Sequence, residues 1–244
     1  MKFSVIGGTG RIGTHIVQAL TAAGHDAHPH SRSTGVDLLT GQGLARAVAG
    51  ADAVIDVSQS PTADEDATAF FGASIGNLLD AAREEGTGHI VLLSVLGADQ
   101  VPNLGYFQAK VFQEDLLKAG PVPYSILRAT QFFEYVNEII SWTTDGEAIR
   151  LPSTATQPIA AADVARAIAD LATAAPLMDT RGIAGPDVMT LDELARVTLA
   201  ARGDHRTVIT DDTAGPFALV PGTAIIANAS AHLAPTHYRD WLAA

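Results

Sequence analysis

Apolar and polar positions follow two rhythms along the first half of the chain. "KFSVI" (residues 2–6) is a short run of β-branched and aromatic character, which predicts a buried strand. After a glycine-rich interval, Ile12, Ile16, Val17 and Leu20 recur at helical spacing, and Gly24 follows as a C-terminal stop. "DAHPHS" predicts a second strand, "GVDLL" a short third one, and "GQGLARAVAG" a small helix closed by Gly50. "ADAVIDVS" reads as a fourth, buried strand. Asp64 to Glu85 suits a longer helix whose acidic start, "DED", is favoured by the helix dipole. "GHIVLLS" then predicts a fifth strand, "YFQAKVFQEDLLKAG" a helix ending at Gly120, and "PYSILRA" a sixth strand.

Strands alternating with helices over this length predict an α/β fold with a Rossmann-type, doubly wound parallel sheet. Beyond about Gln131 the rhythm loosens. "FFEYVNEIISW" and "ADVARAIADLATA" read as helices, and "GPDVMTLDELARVTLAARG" carries a capping box, Thr190-Leu191-Asp192-Glu193, ahead of its apolar spacing. No element is assigned between Asp204 and Pro235. The division expected is a core over 1–130 and, over 131–244, mostly a small C-terminal substrate-side lobe packed on it as one compact unit.

The interval after the first strand is "GGTGRIG", four glycines in seven residues at a strand–turn–helix junction. Gly8-x-Gly10-x-x-Gly13 is the dinucleotide spacing, and Gly7-x-x-Gly10-x-x-Gly13 a more open version of it. Gly7 or Gly8 allows a tight turn, Gly10 lets backbone approach a pyrophosphate, and Gly13 lets the helix lie close to the sheet. The first helical N–H groups lack intrahelical partners and favour an anion. Gly7, Gly8, Thr9, Gly10, Arg11, Ile12 and Gly13 are therefore the candidate phosphate cradle; the alternative is a tight βα turn with nothing bound.

Composition narrows the field. A formal charge of −12 in 244 residues argues against a nucleic-acid backbone as the main partner. The absence of cysteine excludes disulfides, thiol nucleophiles and cysteine-ligated metals. No charged leader precedes an apolar stretch, and "FALVPGTAII" and "IVLLSVLGA" are too short and interrupted to cross a bilayer, so a cytoplasmic protein without a membrane partner is expected. His25, His28 and His30 lie together, but nothing in the sequence supplies further ligands, so no metal is expected.

A fold of this kind that prefers NAD places an acid at the end of its second strand. Here the position holds "HSRS". Arg32 offers a planar fork to a 2′-phosphate, and Ser31 and Ser33 add hydroxyl donors, so NADP(H) is expected over NAD(H). Topology places Asp37 and Leu38 near the adenine, and Ser58 and Gln59, after the fourth strand, along the nicotinamide half.

The chemical signal is "YFQAK". Tyr106 and Lys110 stand four residues apart, on one face of the predicted helix, and Ser94 ends the preceding strand. Together with "GGTGRIG" and the arginine after the second strand, these motifs resemble the short-chain dehydrogenase/reductase superfamily. "SVLGAD" leading to "YFQAK", then "ILRATQFFEYV", "QPIAAADVARAI" and "GPDVMTLDELA", are similar to its atypical NmrA-like, NAD(P)H-binding branch, over essentially the whole chain. The resemblance implies that Tyr106 donates a proton to a carbonyl or quinone oxygen as hydride arrives. It implies that Lys110 lowers the Tyr106 pKa and holds the nicotinamide ribose, and that Ser94 hydrogen-bonds the substrate oxygen.

Gln131, Phe132 and Phe133, with Trp142 near, suit either a flat apolar wall for a quinone or enone, or core packing. The expected partners are a small carbonyl or quinone and, at most, a second copy of the chain in a homodimer. The alternatives are a dinucleotide-binding redox sensor of NmrA type that acts through a protein partner, and a non-redox isomerase or lyase.

Overall fold

A computed structural model of the chain describes residues 1–62 and 66–244; the expected helix start at Asp64 and Glu65 lies outside the described residues. In chain order the elements are β1 (Lys2–Ile6), α1 (Arg11–Ala22), β2 (Asp26–His30), α2 (Leu44–Val48), β3 (Ala53–Asp56), α3 (Asp66–Glu84), β4 (Ile90–Val95), α4 (Gly105–Ala119) and β5 (Tyr124–Ala129). They continue with α5 (Val136–Ser141), β6 (Thr144–Asp145), β7 (Ala148–Leu151), β8 (Ala155–Thr156), α6 (Ala161–Thr173), β9 (Asp179–Ala184), β10 (Met189–Thr190), α7 (Leu191–Arg202), β11 (Thr207–Thr210), β12 (His232–Leu233) and α8 (Tyr238–Ala243).

Seven strands form one parallel sheet in the order β12-β9-β5-β4-β3-β1-β2. The chain runs outward from β1 to β2, then crosses back to β3 on the other side of β1. That reversal opens a crevice at the carboxyl ends of β1 and β3, where ligands bind in sheets of this kind. Register aligns the three exits: Ile6 pairs with both His30 and Asp56.

Both faces of the sheet are covered, which is why its inner strands read as continuous apolar runs rather than alternations. Phe3, Val5, Ala53 and Ile55 pack against Ile12, Ile16 and Leu20 of α1 and Val164 and Ile168 of α6. Ile6, Val54, Ile90 and Leu92 meet Ile75, Leu78 and Leu79 of α3 and Leu117 of α4 on the other face. A third cluster joins α5, β7, α7 and α8 through Phe133, Ile139, Ile149, Leu194, Phe217 and Tyr238.

The structure corrects three sequence expectations. "GVDLL" is not a strand. Arg32–Thr34 forms a 3-10 turn, and Gly35 and Gly43 take positive φ (85° and 78°), which an extended strand forbids. Asp37 then spends its carboxylate on the Leu39 N–H (2.8 Å), closing a turn of its own. The capping box is not made: Thr190 is the N-cap of α7 but makes no side-chain cap bond. Asp192 is drawn instead to Arg196 (2.7 Å) and Thr210 (2.6 Å). Finally, the C-terminal third gives β9 and β12 to the main sheet, and the unassigned stretch supplies β11 and β12. No helix among the described residues is long and apolar enough to cross a membrane.

Candidate functional site

The glycine loop is built by close approach. Gly7 has φ +79°, and a Cβ there would sit 2.8 Å from the Val57 carbonyl oxygen, so loop and β3 exit touch backbone to backbone. A Cβ on Gly13 would lie 2.2 Å from the Gly7 oxygen and 2.5 Å from the Gly8 Cα, so only glycine lets α1 start against its own loop. Gly10 caps α1 with no side-chain bond, leaving the first N–H groups of the helix to a ligand. Thr9 and Arg11 are exposed at the rim, whereas Gly8 is buried beneath Pro29.

Beside the loop, a cleft of ≈ 420 Å³ runs along the carboxyl ends of β3, β4 and β5. Of the sequence candidates, Gly7, Gly10, Arg11, Ile12, Gly13, Ser58, Gln59, Ser94, Tyr106 and Lys110 line it. Tyr106 stands in the first turn of α4, its ring edge-on to Phe71 (5.9 Å), and its hydroxyl donates to Gln59 Oε1 at 2.8 Å. Burial holds the phenol above its ordinary value, opposed by the bond to Gln59. This reverses the sequence expectation that Lys110 lowers it.

The reason is where Lys110 points. Its Nζ donates to the Leu93 carbonyl (2.8 Å) and to Gln113 Oε1 (2.5 Å), and it sits 4.6 Å above the Phe71 ring. Burial pushes the ammonium down to about 8, against the pull of Asp56 and Glu114. Ser94 is 3% exposed, and its hydroxyl makes no bond of hydrogen-bonding geometry. It faces Glu114, whose carboxyl burial would raise; the Arg128 fork (2.8 Å twice), then Ser94 and Lys118, hold it below the usual range.

Ser31, Arg32, Ser33, Asp37 and Leu38 lie outside the cleft, on the loop that leaves β2 next to the glycines. The Gly7 N–H donates to the His30 carbonyl at 2.9 Å, which fixes that proximity. Arg32 is exposed and forms no ion pair among the described residues. The Ser31 and Ser33 hydroxyls share a bond of 2.8 Å. Asp26, by contrast, lies at the far end of β2, in register with Lys2 of β1, with its carboxylate 2.9 Å from His28 Nε2. Leu38 gives its carbonyl to Asn77 Nδ2 (2.8 Å), which anchors this loop to α3.

Several lining groups escaped the sequence reading, Thr130 first among them; with Gln131, which the sequence did single out, it follows β5 into the cleft. Among the described residues, Thr130 Oγ1, Gln131 Oε1, Ser58 Oγ and Ser94 Oγ are buried without partners. Orphaned polar atoms are rare in native interiors, so four lining one cleft, with a glycine cradle at its end, fit a polar, phosphate-bearing ligand. Tyr135, Ile139, Pro216 and Phe217 add to the apolar wall with Phe132 and Trp142. Phe133 does not join them: it is 2% exposed and packs on Tyr238 (4.8 Å) and Trp241 (5.5 Å) in the core. The tilt of Phe132 and Phe133 to opposite sides of a 3-10 turn was not readable from their adjacency.

Residues 7–175 match the sequence model of the NAD(P)H-binding family. No curated protein sequence matches significantly. Among solved structures, the chain is similar to the NADPH-dependent quinone oxidoreductase of Escherichia coli, at 18% identity and TM-score 0.75, over 99% of this chain and 98% of that one. It is similar to the triphenylmethane reductase of Citrobacter sp., at 18% identity and TM-score 0.69, over 94% and 93% of the two chains. It also resembles a nucleoside-diphosphate-sugar epimerase of Staphylococcus aureus, at 17% identity and TM-score 0.75, over 99% of each.

Proposed function

Because the chain belongs to the NAD(P)H-binding family, we propose that it is an NADP-dependent oxidoreductase that reduces a small carbonyl or quinone. The observation that carries this reading is that Tyr106 and Lys110 meet an apolar aromatic wall in the cleft that opens from the glycine loop. A bound nicotinamide dinucleotide supplies the hydride. The loop from Gly7 to Gly13 would hold its pyrophosphate, Arg32 with Ser31 and Ser33 its 2′-phosphate, and Asp37 and Leu38 would flank its adenine. Ser58, Gln59 and Lys110 would meet its nicotinamide half.

Tyr106 holds the proton that the reduced oxygen needs. Its raised pKa keeps it protonated at neutral pH, and its proton now points at Gln59 Oε1. A substrate oxygen that replaces Gln59 as acceptor receives that proton as charge develops on it. Ser94 would steady the same oxygen once its hydroxyl turns from Glu114 toward the cleft.

The wall argues for a planar, largely apolar acceptor. Ile12, Leu104, Phe132, Tyr135, Ile139, Trp142 and Phe217 supply it. The cations lining the cleft are Lys110, which is buried, and Arg11, which is already tied to Glu138. Neither is free to neutralise a second diphosphate, which favours a reductase of small acceptors over an epimerase of nucleotide sugars. The competing reading, a sensor that binds the dinucleotide without turnover, draws on the bond that already occupies Tyr106.

The test is NADPH consumption against a panel of quinones and aldehydes, with Tyr106→Phe in parallel. Turnover that collapses in Tyr106→Phe while NADPH still binds supports the reading. NADPH binding with no acceptor reduced turns the assignment to the sensor.

A further inference from the structure

Lys110 is buried, yet it does not stand against a carboxylate. Its first partner is the Leu93 carbonyl, and its second is Gln113 Oε1, a side chain nearly one turn further along α4. The other end of that amide donates from Nε2 to Asp56 Oδ2 at 3.1 Å. The remaining Asp56 oxygen accepts the Ser58 N–H at 2.9 Å, on the segment that lines the cleft. Lys110, Gln113 and Asp56 are 3%, 0% and 1% exposed, so water does not share these bonds.

An ammonium has three donors. Two are fixed by Leu93 and Gln113, so tetrahedral geometry sets the direction of the third, and Lys110 itself lines the cleft. We propose that Gln113 is a positioning residue, which aims the Lys110 ammonium into the cleft and couples it to Asp56 through a neutral amide. The proposal deepens the reading of Lys110 as a cofactor- and proton-handling group, and it rests on that reading.

The choice of an amide has a chemical consequence. Direct contact with Asp56 would hold the lysine firmly charged, because the attraction between unit charges grows as they approach. Gln113 separates the two and carries no charge of its own. Around Nζ stand Asp56 from β3, Glu114 from the same helix, the Leu93 carbonyl from β4 and the Phe71 ring from α3, which Tyr106 shares. Glu114 is itself committed to Arg128 and Lys118. The ammonium is thus left able to lose its proton in mildly alkaline solution, as its value of about 8 indicates. A carboxylate at position 113 would remove that freedom.

The chain has three lysines, Lys2, Lys110 and Lys118, so the full-length protein labelled with 13C,15N-lysine gives a resolvable set of ε-methylene signals. The Lys110 signal is assigned by its loss in Lys110→Arg, and its pH midpoint is then followed in wild type and variants. Gln113→Glu is expected to raise that midpoint by about one unit or more, with Lys2 and Lys118 unmoved. The double variant Asp56→Asn with Gln113→Glu restores donor against acceptor, so it is expected to melt as wild type does and to keep the raised midpoint. Gln113→Met, which cannot relay Asp56, is expected to lower the midpoint. The alkaline limb of kcat/KM is expected to move in the same directions. A Lys110 midpoint that is the same in wild type and in the folded variants overturns the proposal, and so does an alkaline limb that ignores them. The NMR arm needs no turnover, so a failure to find a reducible acceptor does not touch it.

Discussion

Arg11, the first residue of α1, reaches across the cleft mouth and places its Nη2 2.8 Å from Glu138 Oε1 on α5. Its Nη1 donates to the Glu134 carbonyl at 2.8 Å, and the guanidinium lies 4.8 Å over the Tyr135 ring. The glycine loop is thereby strapped to the segment that carries Tyr135 and Ile139 of the apolar wall. Both charged side chains are about 40% exposed (43% and 40%), so the pair contributes little to stability, typically about 0.2–1 kcal/mol. Glu138→Ala should therefore shift Tm by less than about 4 °C but raise KM for the acceptor, because the wall loses its anchor. An unchanged KM would mean that α5 is held by its apolar contacts alone.

Gly13→Ala is expected to hurt binding more than folding. The added methyl would fall within 2.2 Å of the Gly7 oxygen and 2.5 Å of the Gly8 Cα, both backbone, so the helix start must lift from the loop. Overpacking of this kind costs about 1–3 kcal/mol. NADPH affinity, followed by fluorescence titration, should fall at least about tenfold. A variant that binds NADPH as wild type does would show that the loop is only a tight turn.

Arg32 tests cofactor choice. Among the described residues it has no ionic partner, and it stands beside Ser31 and Ser33, where a charge-assisted bond to a 2′-phosphate would be worth about 1.5–3 kcal/mol. Arg32→Ala should weaken NADPH binding by roughly ten- to a hundredfold and leave NADH nearly untouched. Equal losses for the two dinucleotides, or none, would remove Arg32 from the site.

How far these residues could be read in advance depended on the range of the interaction involved. The glycine spacing and the Tyr106–Lys110 spacing are local, and both survive into the cleft. Strands buried on both faces announced themselves as apolar runs, whereas "GVDLL" has an apolar run without the backbone freedom to pair, because Gly35 and Gly43 turn it back. β9 reads poorly because it lies near the sheet's edge, with Asp179 and Arg181 on its exposed positions. What no spacing could tell was direction. Lys110 commits two of its donors to the Leu93 carbonyl and Gln113, Tyr106 donates to a residue 47 positions away, and Ser94 of β4 faces Glu114 of α4.

His89 gives the fold an acid sensitivity. It is 4% exposed, its Nε2 is 2.8 Å from Ser125 Oγ, and burial holds the imidazole below its ordinary 6.5. The unfolded chain then takes up a proton near pH 6.5 that the folded chain refuses, so stability is full above that pH and falls as pH drops through it. Melting curves between pH 5 and 8 should show this slope, and His89→Gln should flatten it. An identical pH dependence in that variant would place the acid-sensitive group elsewhere, with His30, also lowered by burial, the next to replace.

Trp142 and Phe217 stack with their rings 6.2 Å apart and only 12° from parallel, and both line the cleft. Phe217 is buried, but Trp142 is 56% exposed, an unusual amount of apolar surface to leave wet. A planar acceptor laid against that indole covers it and gains an aromatic contact worth about 0.5–1.5 kcal/mol beyond the area buried. Trp142→Ala should therefore raise KM for a naphthoquinone by about threefold to tenfold. Its effect on a small aliphatic aldehyde should be far weaker, because such a substrate has no ring to stack. NADPH affinity should not change, since Trp142 is not among the residues proposed to hold the dinucleotide. If KM rises equally for both acceptors, Trp142 shapes the cleft rather than reading the ring. If neither moves, the planar substrate lies instead against Phe132 and Tyr135, which also line the cleft and whose rings meet at 5.9 Å.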